Sequence, residues 1–365
     1  MDTAGSGPAG VAKAPDGVAK APAGETTTGP VRFARVKRWI PAARIVASAI
    51  MLGVLIHQVK IRSLFPELDA STLALLAGGL AFTTLGIVLS AYRWQRVLVA
   101  MELPSKLGPL LNAYLASQFL SNFLPSTIGG DALRVSRLSA TQRADPRPSA
   151  ANTGGAPAAF ASVVLDRMSG WLILPLLCLA GLIINPTLLH LGRSSHAALV
   201  ISGVTLAALV AVVAAAGSPR LGGRFAGHDS WLRFMGAVHL GLARMVRRPR
   251  EAAHVIVASI VYQLAIVAAG ILAARALGID IGPTALLAFI PAVAIVQVLP
   301  VTVGGLGVRE GAFALFLQPL GVPAGKAIGL GLAMYAMHLL ASLLGAPSFA
   351  IGQRSGPSAP VTPLA

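Results

Sequence analysis

Leu124-Pro125-Ser126-Thr127-Ile128-Gly129-Gly130-Asp131-Ala132-Leu133-Arg134 and Leu299-Pro300-Val301-Thr302-Val303-Gly304-Gly305-Leu306-Gly307-Val308-Arg309 are two copies of one pattern, L-P-x-T-x-G-G-x-x-x-R, 175 residues apart. Both lie inside apolar stretches. Proline lacks an N–H and clashes with the preceding turn, while glycine tolerates non-helical dihedrals. Each copy is therefore expected to break a helix, with Pro125, Gly129 and Gly130 shaping the first break and Pro300, Gly304 and Gly305 the second. Unwound backbone at membrane depth persists only where it is buried in protein or lines a polar cavity. Matching interrupted segments in two halves of a membrane protein point to a transporter's binding site.

The surrounding composition sets the fold class. The 365-residue chain is 55% hydrophobic and 12% charged, with a mean hydropathy of +0.74, too apolar for a soluble domain of this size. Runs of about 20 residues with few or no charges can span a bilayer. They occur at 45–59, 71–92, 157–184, 196–216, 252–274 and 327–351, and two more, 107–130 and 281–308, contain the motifs. The expected fold is an all-α polytopic membrane protein of about six to eight transmembrane helices, with two broken or re-entrant segments related by an internal repeat. Residues 1–30, rich in Ala, Gly, Pro and Thr, read as a disordered tail. A single membrane domain is expected over 31–353, its halves at about 39–184 and 196–351, followed by a disordered tail at 354–365.

A net charge of +16 raises nucleic acid as a partner, and the distribution of the basic residues answers it. With a cytoplasmic N-terminus and re-entrant motif segments, only Lys60, Arg62, Arg193, Arg275 and Lys326 fall on the far side. That asymmetry is the positive-inside rule, so no nucleic-acid partner is expected, and both termini are assigned to the cytoplasmic face of the cell membrane. The basic segment 219–250 carries Trp231, Phe234, Met235, Val238, Leu242 and Met245 at helical spacing. It reads either as an interfacial helix on an anionic leaflet or as a solvated loop with topogenic charges.

Three full spans, 157–184, 196–216 and 252–274, separate the motifs. An odd number of crossings puts the motif entrances on opposite faces, giving an inverted repeat. If 107–124 and 283–300 each cross completely, four crossings intervene and the halves are parallel. The inverted arrangement is the expectation carried forward.

A break followed by a new helix start presents unpaired N–H groups and a positive dipole end, and an arginine adds a bidentate donor, so the motifs suit phosphate or carboxylate. The candidate lipid-contacting residues are Asn122, Thr127, Asp131, Arg134, Thr302, Arg309 and Glu310. Asp131 and Arg134, three apart, can also pair along one helix, and Arg134 can also act as a topogenic residue at the interface. Arg309 and Glu310 lie between uncharged stretches, where ionisable groups are costly and by default functional, or else neutralise each other. Asp166 and Arg167 form a second embedded pair. Neighbours on a helix point apart, so each is expected to meet a partner elsewhere: Arg134 or Arg309 for Asp166, and Glu310 or Asp131 for Arg167. Asn112, Gln118, Ser121 and Asn122 either line the same cavity or join helices.

No catalytic apparatus is legible. The seven histidines show no metal-ligand spacing, the single Cys178 permits neither an internal disulfide nor a thiolate site, and Walker, G-x-S-x-G and dinucleotide patterns are missing. No cofactor, metal or catalytic residue is expected.

The stretch from Ser121 through Arg134, the later Leu299-Pro300 to Arg309-Glu310-Gly311, and Arg93-Trp94 closing a span resemble the lysylphosphatidylglycerol synthase transmembrane region family, also known as the flippase-like membrane domain family. The resemblance covers most of 40–350. Asp166-Arg167 departs conservatively from the family's more frequent Glu-Arg. The resemblance implies a membrane domain that moves or presents lipids. In the best-known members it is joined to a soluble domain that aminoacylates phosphatidylglycerol; the short segment after the last span leads us to expect no such domain here. The function expected is a lipid flippase or transporter for an anionic or phosphate-bearing lipid. The alternatives are an accessory subunit or scaffold for a separate synthase or transferase, or a lipid-modifying membrane enzyme.

Overall fold

An apolar segment in lipid must satisfy its backbone N–H and C=O groups internally, and a helix does so within itself. The computed structural model describes residues 69–354 except 104, 124–127, 145–154, 218–231 and 299–304, and all regular elements among them are helical. In chain order they are α1 (Ala70–Ala100), α2 (Leu107–Phe123), α3 (Ile128–Ala144), α4 (Gly155–Ile184), α5 (Arg193–Gly217), α6 (Leu232–Arg247), α7 (Pro249–Ala276), α8 (Pro283–Gln297), α9 (Val308–Leu317), α10 (Ala324–Leu343) and α11 (Gly345–Arg354). Short 3-10 turns follow α4 and α9. Five of these helices, α1, α4, α5, α7 and α10, are long and apolar enough to cross a membrane. The protein is an all-α, multi-pass membrane protein embedded in the lipid bilayer. The expected span 45–59 and both tails lie outside the described residues.

α1 starts where Asp69 caps it, its carboxylate accepting the Thr72 N–H at 2.8 Å. That backbone hydrogen bond holds the Asp69 carboxyl below its ordinary range. α1 and α7 run antiparallel in close contact. Gly78 faces Leu272, Gly79 faces the Ala269 carbonyl, Gly86 faces Tyr262 and Ile266, and Arg96 meets Glu251. Small residues let two backbones approach where lipid offers no hydrophobic drive for association. α5 stands at the periphery, with Val200, Val204 and Val210 mostly exposed, a face suited to lipid.

Two hairpins enter the bundle from opposite ends. At the first end, α1 finishes, α4 begins and α2 starts: Gln95 Nε2 donates to the Ser105 carbonyl, and Trp94 Nε1 donates to Ser162 Oγ. α3 returns alongside α2 toward that end, Gly130 lying against Ser117 and Ser121, and Arg137 Nη1 donating to the Asn112 carbonyl. α4, about 45 Å long at 1.5 Å per residue, then carries the chain to the second end. There Asn185 Nδ2 donates to Thr284 Oγ1 at the start of α8, and Ser194 Oγ donates to the Leu315 carbonyl near the end of α9. Phe289 of α8 and Phe316 of α9 stack at 5.2 Å between ring centroids. α8 and α9 therefore go in and come back at the second end, as α2 and α3 do at the first, which is the inverted arrangement. α8 is apolar all round and correspondingly buried, with Ala285, Leu286, Ala288, Phe289 and Ala292 inside. Gly181 of α4 abuts the Ala288 backbone and Gly270 of α7 abuts Ile290.

Two expectations are corrected. The apolar stretch 327–351 is not one span: α10 stops at Leu343 and α11 begins at Gly345. A Cβ at 345 would run into the Leu115 carbonyl, so the glycine lets α11 turn onto α2, where Phe349 meets Phe119 and Ser348 Oγ donates to Asn112 Oδ1. The apolar stripe of 219–250, where described, faces protein. Val238 is buried, Leu242 and Met245 pack on the cluster around Trp94 and Leu165, and Arg244 Nη1 donates to the Met101 carbonyl.

Candidate functional site

The first motif copy sits against a buried charge cluster drawn from three helices, α1, α3 and α4. Asp166, in the first half of α4 and fully buried, accepts from Arg93 Nε of α1 at 2.7 Å and from Arg134 Nη2 of α3 at 2.8 Å. Arg167, one position on, points elsewhere and grips Asp131 through Nε at 2.6 Å and Nη2 at 2.9 Å. Asp131 also lies 3.7 Å from Arg134 Nη1. Of the two partners expected as alternatives for each, Asp166 meets Arg134 and not Arg309, Arg167 meets Asp131 and not Glu310, and Arg93 joins them.

Aromatic rings complete the enclosure. The Arg134 guanidinium lies 4.2 Å from the Trp94 ring centroid and 4.6 Å from that of Tyr114, and Arg93 lies 5.4 Å from that of Tyr262 on α7. Stacked rings replace part of the hydration a guanidinium loses on burial. Arg93 and Arg134 are only 4% and 2% exposed. In such surroundings each ion costs on the order of several kcal/mol to desolvate, and only good pairing offsets it.

The pairing is incomplete. Three guanidiniums face two carboxylates, so the described cluster carries one uncompensated positive charge. Among the described residues, Arg93 Nη1 and Arg134 Nε are buried without a hydrogen-bond partner. Arg93 Nη1 lies over Gly170, where a Cβ would come within 2.7 Å of it. Buried polar groups are almost always satisfied, and two orphaned donors on adjacent cations mark a place suited to an anion.

The second motif copy is arranged differently. α8 ends at Gln297, and the chain turns through Gly305 and Gly307, both at positive φ, before α9 starts at Val308. Glu310, fully buried, accepts from the Gly307 N–H at 2.6 Å and from Arg309 Nη2 at 2.6 Å and Nε at 3.0 Å. Arg309 lies over the Tyr335 ring at 4.7 Å, and Gly331 of α10 leaves room for the Glu310 side chain. This pair is neutral within itself.

α2 and α3 are separate helices on either side of the first motif's Leu124–Thr127 segment. Gly129 and Gly130, expected at the break, lie instead in the first turn of α3. Gly130 serves close approach, since a Cβ there would clash with the Ser117 carbonyl and the Ser121 hydroxyl. Pro125, Thr127, Pro300, Thr302 and Gly304, and the side chain of Asn122, fall outside the described residues. Asn112 and Gln118 join helices: Asn112 meets Ser348, and Gln118 Nε2 lies 3.3 Å from His338 Nε2 on α10. Arg93 was legible only as an arginine closing a span; its place beside Asp166 comes from packing, as do those of Tyr114 and Tyr262.

A family profile described as the Lysylphosphatidylglycerol synthase TM region matches residues 42–345. The chain belongs to the lysylphosphatidylglycerol synthase TM region family. The match spans both hairpins and every helix from α1 to α10, so the charge cluster and the Arg309–Glu310 pair both lie within the family domain. No curated protein and no solved structure matches the chain.

Proposed function

We propose that this protein binds the anionic or phosphate-bearing head group of a membrane lipid at the first motif copy and helps that lipid cross the bilayer, acting as a flippase-like transporter and not as an enzyme. The observation that carries this reading is the uncompensated positive charge of the Arg93, Arg134, Arg167, Asp131 and Asp166 cluster, together with the orphaned donors Arg93 Nη1 and Arg134 Nε. A buried net charge is costly in lipid and is by default functional. An anionic head group would supply the missing counter-charge, and the opposed hairpins supply the architecture of a transporter core. Family membership supports a role in membrane lipid metabolism. The cell membrane, with both termini cytoplasmic, is the location proposed on the basic-residue asymmetry.

The test is translocation of short-chain fluorescent phospholipids in proteoliposomes, comparing wild type with Arg134→Ala and Arg309→Ala at matched reconstitution. The reading requires transport of an anionic lipid by wild type and its loss in folded Arg134→Ala. Wild type that moves none of a panel of lipids would overturn it and leave the protein as a membrane subunit for a separate synthase or transferase.

A further inference from the structure

The charge count at the first motif says more than that the ligand is an anion. We infer that the cluster selects a head group bearing a single negative charge, a phosphodiester, over a doubly charged phosphomonoester, and that the Asp131–Arg167 pair sets this preference. The inference rests on the lipid-binding reading above.

Arg93, Arg134 and Asp166 form the inner layer: two cations share one buried carboxylate, and each cation keeps one nitrogen, Arg93 Nη1 and Arg134 Nε, with no hydrogen-bond partner among the described residues. Asp131 and Arg167 form an outer layer, partly exposed, joined by two hydrogen bonds. Asp131 also faces Arg134 at 3.7 Å, so its charge is felt by the inner layer. Trp94, Tyr114 and Tyr262 add rings without formal charge. The Arg309–Glu310 pair is self-neutralised and adds no net charge. One anionic charge brings the described cluster to neutrality. A second would leave a net negative charge buried among aromatic rings, where the desolvation of an unpaired ion is least tolerated.

The two layers divide the work. Arg93 and Arg134 are the proposed phosphate-contacting residues, which adds Arg93 to the site. Asp131 and Arg167 act through them as positioning residues that set the local potential. A dianion feels any change in that potential twice as strongly as a monoanion, so altering the outer layer must change the ratio of the two affinities, not just their size.

The experiment measures two ratios for the full chain in nanodiscs and proteoliposomes at pH ~8, where a phosphomonoester with a second pKa of about 6 is doubly charged. The probes are phosphatidylglycerol and phosphatidic acid with identical acyl chains, read both as competitive binding and as translocation. Wild type is expected to favour phosphatidylglycerol by on the order of tenfold. Asp131→Asn adds one positive charge to the cluster and should erase or reverse the preference. Arg167→Gln removes one and should steepen it, and the double variant, which restores the wild-type charge, should restore the wild-type ratio. Ratios within one preparation are insensitive to partial loss of folded protein, and Arg167→Gln keeps the test decisive if Asp131→Asn does not fold. Equal binding of the two probes by wild type, or a ratio that the charge variants leave unchanged, overturns the inference while the transport reading stands on Arg134→Ala. Binding selectivity with no lipid movement sinks the transport reading and leaves the selectivity supported.

Discussion

Arg134 and Arg309 hold the same place in the same eleven-residue pattern and meet opposite surroundings. Arg134 reaches across to Asp166 of α4, lies between Trp94 and Tyr114, and belongs to a cluster with more cations than anions. Arg309 turns to its immediate neighbour Glu310, which also accepts the Gly307 N–H ahead of α9. The difference traces to where the acid sits. In the first copy the carboxylate directly follows the glycine pair, as Asp131, and is captured by Arg167. In the second copy that position is Leu306 and the acid follows the arginine. One repeated backbone device therefore builds a long-range charge network in one half and a local structural pair in the other.

The comparison is most sharply tested by removing the acids. Asp166→Ala leaves Arg93 and Arg134 buried together without their shared carboxylate, and a stability loss of about 3–5 kcal/mol is expected, read as a fall in unfolding midpoint in detergent. Neutralising the second copy as a pair is expected to be much milder. Arg309→Gln with Glu310→Gln removes both charges at once and should cost under about 2 kcal/mol, because replacing a whole buried pair is often near neutral. Lipid movement should persist in that variant. If it is lost while the protein stays folded, Arg309 and Glu310 are more than a local structural pair.

The glycines separate the copies again. Gly130→Ala drives a methyl group into the Ser117 carbonyl and should cost about 1–3 kcal/mol by overpacking the α2–α3 hairpin. Gly305→Ala meets only ordinary to tight contacts with Gln297 but must hold φ +72, costing roughly 1–2 kcal/mol of backbone strain. The same unfolding assay ranks them, and a smaller loss for Gly130 would argue against close approach as its role.

The smallest effect lies away from both copies. The folded Asp69 carboxyl titrates below its ordinary value, so its capping of α1 is fully present above about pH 4, the unfolded value, and is lost as pH falls through the lower folded value. Hydrogen-exchange protection over the first turn of α1, taken relative to the intrinsic exchange rate at each pH, should fall under those acidic conditions in wild type and be low at all pH values in Asp69→Ala.

Much of the architecture was readable from composition and period. Apolar runs marked α1, α4, α5, α7 and α10, and the proline–glycine motifs marked both hairpins. The misreadings have specific causes. The 327–351 run was broken by Gly345 because α2 lies against it, and no local signal records a neighbour from more than two hundred residues away. The stripe of 219–250 was visible, but whether it faces lipid or protein depends on what covers it.

What the sequence determined by itself is what depends on local chemistry: the membrane environment, the interrupted segments, and, within α4, the divergence of adjacent Asp166 and Arg167. Only the tertiary structure decided which partners these two meet, that Arg93 joins them, and that the first copy retains a net positive charge while the second does not. Hydropathy and backbone preference act over one helical turn or one bilayer crossing and leave a trace in the order of residues. Charge balance in a low-dielectric core is summed over everything within a few ångströms, and that sum exists only after α1, α3 and α4 have packed together around Asp166.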